Sequence, residues 1–241
     1  MRTWLLHHID PPMAGHARPA LEKAGLDLAE CHVTGGEELP RLEEVAGLVV
    51  FGGRESVLDL DEHPSLVAEC DLIARAVQTE VPVLGLCLGS QLLARSQGAR
   101  VQRMDRRQIN WAYPQLLEAA GEDPLFAGAP PVPALHWNED AFELPAGAVE
   151  LQERSGPGVE AFRVGSCAWG TQYHPEADAA ILDAWYAKYA GMLAEAGTTE
   201  EEARREAARH LEAQRIAAEH LFGAFARVVQ ARARRASPVE A

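Results

Sequence analysis

The sequence predicts an α/β protein: a three-layer α/β/α sandwich on a mostly parallel, flavodoxin-like central sheet, with antiparallel strands added in the second half and a C-terminal helical extension. Three observations predict it. Apolar runs at residues 3–9, 26–33, 47–51 and 81–86 have the length and Val/Leu content of strands buried on both faces. They alternate with helix-period stretches, which implies right-handed βαβ crossovers and a parallel sheet covered on both sides. From residue 108 to 173 helical spacing gives way to short extended pieces divided by Pro/Gly turns, and from residue 177 the chain returns to helix.

In order, residues 3–9 form a first strand closed by the turn Asp10-Pro11-Pro12. Residues 16–24 form a short helix stopped at Gly25, residues 26–33 a second strand, and residues 47–51 a third that ends at Gly52-Gly53. Pro64 suits the first turn of a helix running to about residue 80, with Leu66, Cys70, Ile73 and Val77 on its packed face. The strand 81–86, a glycine-flanked turn, a helix over 90–97 and a strand reaching Val101 come next. Extended pieces are expected at 111–117, 132–137, 149–152, 160–164 and 167–173. One helix is expected over 177–196, stopped by Gly197, and Thr198 with Glu201 reads as a capping box for a second, long helix with a kink near its middle. Ala218, Leu221, Phe222, Phe225 and Val229 form its docking stripe, and the tail 232–241, with Arg232, Arg234 and Arg235, reads as a frayed, solvated helix end. The chain thus divides into a body over residues 1–197 and a helical extension over 198–241 packed on it.

The 241 residues are 47% hydrophobic and 24% charged, enough for one good core. A net charge of −14 argues against nucleic acid or anionic membrane as partner. No apolar run reaches the length of a membrane span, and the apolar start is too short for an export signal and is broken by His7, His8 and Asp10, so a cytoplasmic location is expected. Four scattered cysteines without a CxxC pair read as reduced thiols, with neither a disulfide framework nor a zinc site.

The turn between strand 81–86 and the following helix is Gly85-x-Cys87-x-Gly89. It has the pattern of a nucleophile elbow with cysteine in place of serine, and a helix N-terminus beneath the sulfur favours thiolate over thiol. Alone, this pattern permits a nucleophile without requiring one; a buried cysteine in an ordinary strand–turn–helix has the same letters. A reactive cysteine needs a base and a group to orient it. His174-Pro175-Glu176 supplies both, because Pro175 biases His174 towards extended backbone, where residues two apart face the same way. Cys87 as nucleophile, His174 as base and then acid, and Glu176 as orienter follow the logic of a Ser-His-Asp triad.

GLCLGSQLLA followed far downstream by YHPEA resembles the class I glutamine amidotransferase family, of the Cys-His-Glu type. VVFGG, HWNEDAFELP and AFRVGSCAWGTQYHPE extend the resemblance over most of the chain, and the details are most similar to stand-alone members related to the amidotransferase domain of GMP synthase. The resemblance implies that Cys87 attacks the side-chain amide of glutamine. It also implies that the backbone N–H groups of Leu88 and Gly53, in the Gly52-Gly53 loop, form the oxyanion hole and that Gln91 contacts substrate; Trp137 reads either as a wall of the glutamine pocket or as a packed strand-end aromatic. A γ-glutamyl thioester would hydrolyse to glutamate, with no cofactor and no metal. The substrate implied is glutamine or a γ-glutamyl amide. Ammonia would pass to a synthetase on a separate chain, or the protein would act as a γ-glutamyl peptidase or amide hydrolase without such a partner; a catalytically silent regulatory or binding role is a third reading.

Arg54-Glu55-Ser56 stands after the glycines where stand-alone relatives often carry proline, so the oxyanion loop is expected to sit differently here. His136 and Asp140 flank Trp137 in the substrate-side stretch. Arg103, Arg106 and Arg107 read as a solvated loop, and His7 and His8 as one core and one surface histidine.

Overall fold

The computed structural model describes residues 1–236. Its main sheet is built from β1 (Arg2–His7), β2 (Leu28–His32), β3 (Val45–Val50), β4 (Val83–Leu86), β7 (Val149–Glu150), β8 (Ala161–Val164) and β9 (Ala168–Thr171), in the order β2-β1-β3-β4-β9-β8-β7. The pairs from β2 through β9 are parallel, and β8 and β7 add antiparallel at the far edge. β5 (Val101–Ala112) and β6 (Ala134–Phe142) form a separate antiparallel pair that stands over the carboxyl edge of the sheet. The α/β class, the parallel centre and the antiparallel additions are as expected. The extended piece placed at 111–117 instead begins at Val101, because Arg103 and its neighbours pair along β6.

α2 (Pro64–Gln78) and α3 (Leu88–Ser96) cover one sheet face, and α1 (Ala17–Lys23) with α6 (Glu200–Ala236) covers the other. In α2 the packed stripe is rotated from the expected one: Leu66 and Ile73 are buried as predicted, but Glu69, Leu72 and Ala76 complete it while Cys70 and Val77 are half-buried. α6 runs as one uninterrupted helix of 37 residues. All five residues of its predicted stripe are buried, with Phe222 and Phe225 packed among Leu5, Val49 and Leu84. A Cβ on Gly47 of β3 would lie 2.8 Å from a Val229 methyl, so helix and strand approach as closely as glycine allows.

The single helix expected over 177–196 is two, α4 (Ala179–Lys188) and α5 (Ala190–Ala196), broken at Tyr189. Periodicity cannot show that break, since Tyr189 is buried in one continuous cluster with Trp185 and Leu193. Gly197 ends α5 in the left-handed conformation as expected. The cap of α6 lies one residue later than predicted: Thr199 Oγ1 accepts from the Glu202 N–H at 3.2 Å, and the Glu202 carboxylate accepts from the Thr199 N–H at 3.0 Å. Of the tail, residues 232–236 continue α6, and 237–241 lie outside the described residues.

Candidate active site

Cys87 joins β4 to α3 at φ 50° and ψ −107°, a conformation sparsely populated for any residue with a side chain. Its backbone is over-determined. The N–H donates to the Thr171 carbonyl of β9 at 2.8 Å, and its carbonyl accepts from the N–H groups of Ser90 and Gln91, both at 3.0 Å. The two glycines are there for close approach: a Cβ on Gly89 would strike the Val50 backbone, and one on Gly85 would strike the Gly89 carbonyl. The turn therefore projects the sulfur beyond the carboxyl end of the sheet, where open α/β sheets place their ligands.

His174 and Glu176 arrive from the loop after β9. The His174 N–H donates to the Leu135 carbonyl of β6 at 2.9 Å, and the Glu176 carbonyl accepts from the His16 N–H at 2.9 Å, so neighbouring elements hold both ends of the motif. His174 Nδ1 lies 2.8 Å from Glu176 Oε1, both side chains being buried. That contact leaves Nε2 to face the Trp137 carbonyl at 3.3 Å and the Cys87 side chain. Burial opposes a charged ring, but Cys87 and Glu176 outweigh it and hold the His174 pKa well above the usual histidine value. Cys87 Sγ also lies 3.8 Å from the Trp137 carbonyl and 3.7 Å from the Gln172 amide nitrogen. The thiols of Cys31, Cys70 and Cys167 are pushed up to about 11 by burial. All four cysteines are unpaired.

A pocket of about 70 Å³ opens on this cysteine and is lined by Gly53, Leu88, Gln91, Trp137 and His174 among others. It thus brings together every residue predicted for the site except Gly52 and Glu176, which stand behind it. A Cβ on Gly52 would lie 2.7 Å from His174 Cε1, and Glu176 backs the imidazole. Gln91 Nε2 donates to the Asp140 carbonyl at 3.3 Å, and the Trp137 ring packs on Trp185 at 5.4 Å. α4 and α5 supply a wall the sequence did not reveal: Trp185, Tyr189 and Met192, from a stretch read only as one helix.

Several expectations change. Arg103 and Arg107 sit on β5 and are ion-paired. Arg103 meets Glu139 and, at 3.0 Å, Asp140; Arg107 meets Glu139 and, at 3.0 Å, Glu195. His136 points away from the pocket into a buried pair with Glu160 at 2.6 Å, while Asp140 does line the pocket. His7 and His8 are both buried, His7 stacked on Phe51 at 4.8 Å and His8 against Glu69 at 2.8 Å. The β1 end is covered on both sides, so alternation there sorts two cores rather than core from solvent. Among the described residues no cluster of His, Cys, Asp or Glu could hold a metal, and no helix is long and apolar enough to cross a membrane.

A parallel α/β sheet thus carries an elbow cysteine that faces a carboxylate-held histidine at its carboxyl edge. The chain belongs to the class I glutamine amidotransferase family: the model of that family matches residues 20–187. It is 33% identical over 181 residues to the glutamine amidotransferase-like protein YfeJ of Salmonella typhimurium, covering 73% of this chain and 76% of that one. One subunit of the glutamine-hydrolysing GMP synthase of Archaeoglobus fulgidus is 32% identical over 142 residues, 56% of this chain and 69% of its own. Among solved structures, a glutamine amidotransferase of Thermotoga maritima superposes with a TM-score of 0.81 at 25% identity, covering 95% of this chain and 98% of the other. Members of the family are generally enzymes that hydrolyse the glutamine amide.

Proposed function

We propose that this protein hydrolyses the side-chain amide of glutamine through a Cys87 thioester, releasing glutamate and ammonia. The observation that carries the reading is the pairing of a strained elbow cysteine with a histidine held by Glu176 in one pocket. The Cys87 thiolate attacks the amide carbon; the N–H groups of Leu88 and Gly53 take the developing oxyanion; His174-H⁺ gives its proton to the departing ammonia. Neutral His174 then draws a proton from water, which cleaves the thioester. The roles of Gln91 and Trp137 are to hold and wall the γ-glutamyl group, and no cofactor or metal takes part. The body over residues 1–197 carries the chemistry, with 198–241 as a supporting extension, and we place the protein in the cytoplasm.

Two destinations remain for the product. Likeness to a GMP synthase subunit supports a separate synthetase chain that takes the ammonia. A second reading is a γ-glutamyl amide other than glutamine as substrate, with no synthetase partner. Glutaminase assays with and without candidate synthetases separate the two. High partner-free turnover of a γ-glutamyl amide other than glutamine selects the second. The common core is tested by a glutamine-analogue chloroketone: stoichiometric, glutamine-protectable labelling that vanishes in Cys87→Ala is expected. Absence of labelling in the unsubstituted protein would remove the reading and leave the silent regulatory role.

A further inference from the structure

The proposed nucleophile and base are held from two sides, and one side is not tied to the main sheet by a strand ladder. β6 belongs with β5 to a sheet of its own, yet two of its carbonyls meet His174. The Leu135 carbonyl accepts from the His174 N–H at 2.9 Å, and the Trp137 carbonyl faces His174 Nε2 at 3.3 Å and Cys87 Sγ at 3.8 Å. Residues two apart on a strand present the same edge, so both carbonyls lie on one edge of β6 with His136 between them. Where this stretch of β6 stands therefore fixes where the imidazole stands.

The far end of β6 is held by the Val159 N–H, which donates to the Phe142 carbonyl at 3.2 Å. The end near His174 is held by a buried side-chain pair that the proposed chemistry does not use. His136 is fully buried, and its Nε2 donates to Glu160 Oε2 at 2.6 Å. Its Nδ1 has no partner among the described residues, so Glu160 is the whole polar anchorage of the ring. Glu160, immediately before β8, is itself fixed. Its other carboxylate oxygen accepts from the Ser155 N–H at 3.0 Å and from the Ser155 hydroxyl at 2.5 Å. Its backbone carbonyl accepts from the Gln172 N–H at 2.8 Å, and the Gln172 amide reaches Cys87 Sγ at 3.7 Å. One residue thus grips β6 with its side chain and the chain before His174 with its backbone. A buried pair of this kind seldom stabilises a fold better than apolar side chains of the same size, but its position gives it another use. We propose that Glu160, through His136, is a brace that keeps the Leu135 and Trp137 carbonyls of β6 in place against His174 and Cys87. Glu160 and His136 are thus positioning residues, and neither lines the pocket.

The inference rests on the proposed glutamine hydrolysis, and its test keeps the two apart. His136→Gln retains an N–H donor at the reach of Nε2, whereas His136→Leu combined with Glu160→Leu fills the space and removes the bond. The double variant should fold, since apolar residues often replace a buried pair without loss. Its kcat for glutamine should fall about 10- to 100-fold, as a small misplacement of a reacting group can cost that much, with KM within about threefold. His136→Gln should keep kcat within about threefold of the unsubstituted protein. An unchanged kcat in the folded double variant, or a fall in His136→Gln as large as in the double variant, overturns the brace. Should the double variant not fold, hydrogen exchange in the unsubstituted protein decides without any activity. The His174 backbone N–H and the His136 Nε2 proton should be lost to solvent at rates within about threefold, because one opening of β6 frees both. Rates further apart refute the brace. An unsubstituted protein inactive on glutamine would count against the hydrolysis, with exchange still deciding the brace.

Discussion

His174 keeps its proton to unusually high pH because two acidic neighbours outweigh its burial. Replacing one of them, in Glu176→Gln, should bring its pKa down. The alkaline limb of kcat/KM for glutamine, where the imidazolium is lost, should then move to lower pH, and kcat should fall about 100-fold as the ring loses its orienting partner. A limb that stays in place would mean that Glu176 does not tune the ring. Arg54 lines the pocket and Arg107 is neutralised by Glu139 and Glu195, so we propose Arg54 as the cation that meets a substrate carboxylate. Its guanidinium lies over the Tyr189 ring at 5.3 Å. Arg54→Gln should raise KM for glutamine about tenfold, the value of one charge-assisted contact, and leave an amide lacking the α-carboxylate unaffected. At this scale the sequence was most informative where a residue's chemistry is unusual for its setting, as at Cys87 and His174. It said nothing of Glu69, which looks like one more acidic residue on an acidic helix.

β1 and α6 carry two further expectations. Burial lowers the His7 pKa to about 4, against the pull of Glu30. His7 is then neutral in the folded chain but protonated once unfolded, so its contribution is present above about pH 6.5 and is lost as pH falls towards 4. Between pH 7 and 5 the parent should lose about 2 kcal/mol more stability than His7→Gln, measured by urea unfolding. An equal loss in both would show that the ring is not buried neutral. On α6, Phe225→Ala removes a fully buried ring from between helix and sheet, and should cost about 3–5 kcal/mol by the same measurement. The stripe that α6 lays on the sheet was readable in register, whereas that of α2 is rotated, because the buried Glu69, paired with His8, takes a packed position that a carboxylate does not announce. The α4–α5 break was not, since Tyr189 at the interruption is as apolar and buried as its neighbours.

The whole molecule is organised so that α6 spans two territories. Its C-terminal half covers the sheet, while Ala207 and Leu211 pack with Trp185 and Leu193 of the helices that wall the pocket, and the Tyr186 hydroxyl donates to the Ala203 carbonyl at 3.2 Å. A chain ended at residue 197 should therefore lose cooperative thermal unfolding and glutamine-protectable labelling together. If that shorter chain melts as sharply as the longer one, the extension is dispensable for the core. The sequence by itself indicated the alternation of strands and helices through the elbow, the helical coverings, and the three side chains that we propose as nucleophile, base and orienter. These follow from local rules: periodicity, glycine turns and the extended backbone before proline. Tertiary structure alone decided which charged residues are buried against one another, as in His8–Glu69 and His136–Glu160, and which helix walls the pocket. Those partners lie far apart in the chain, and a charge is silent in sequence until packing removes it from water.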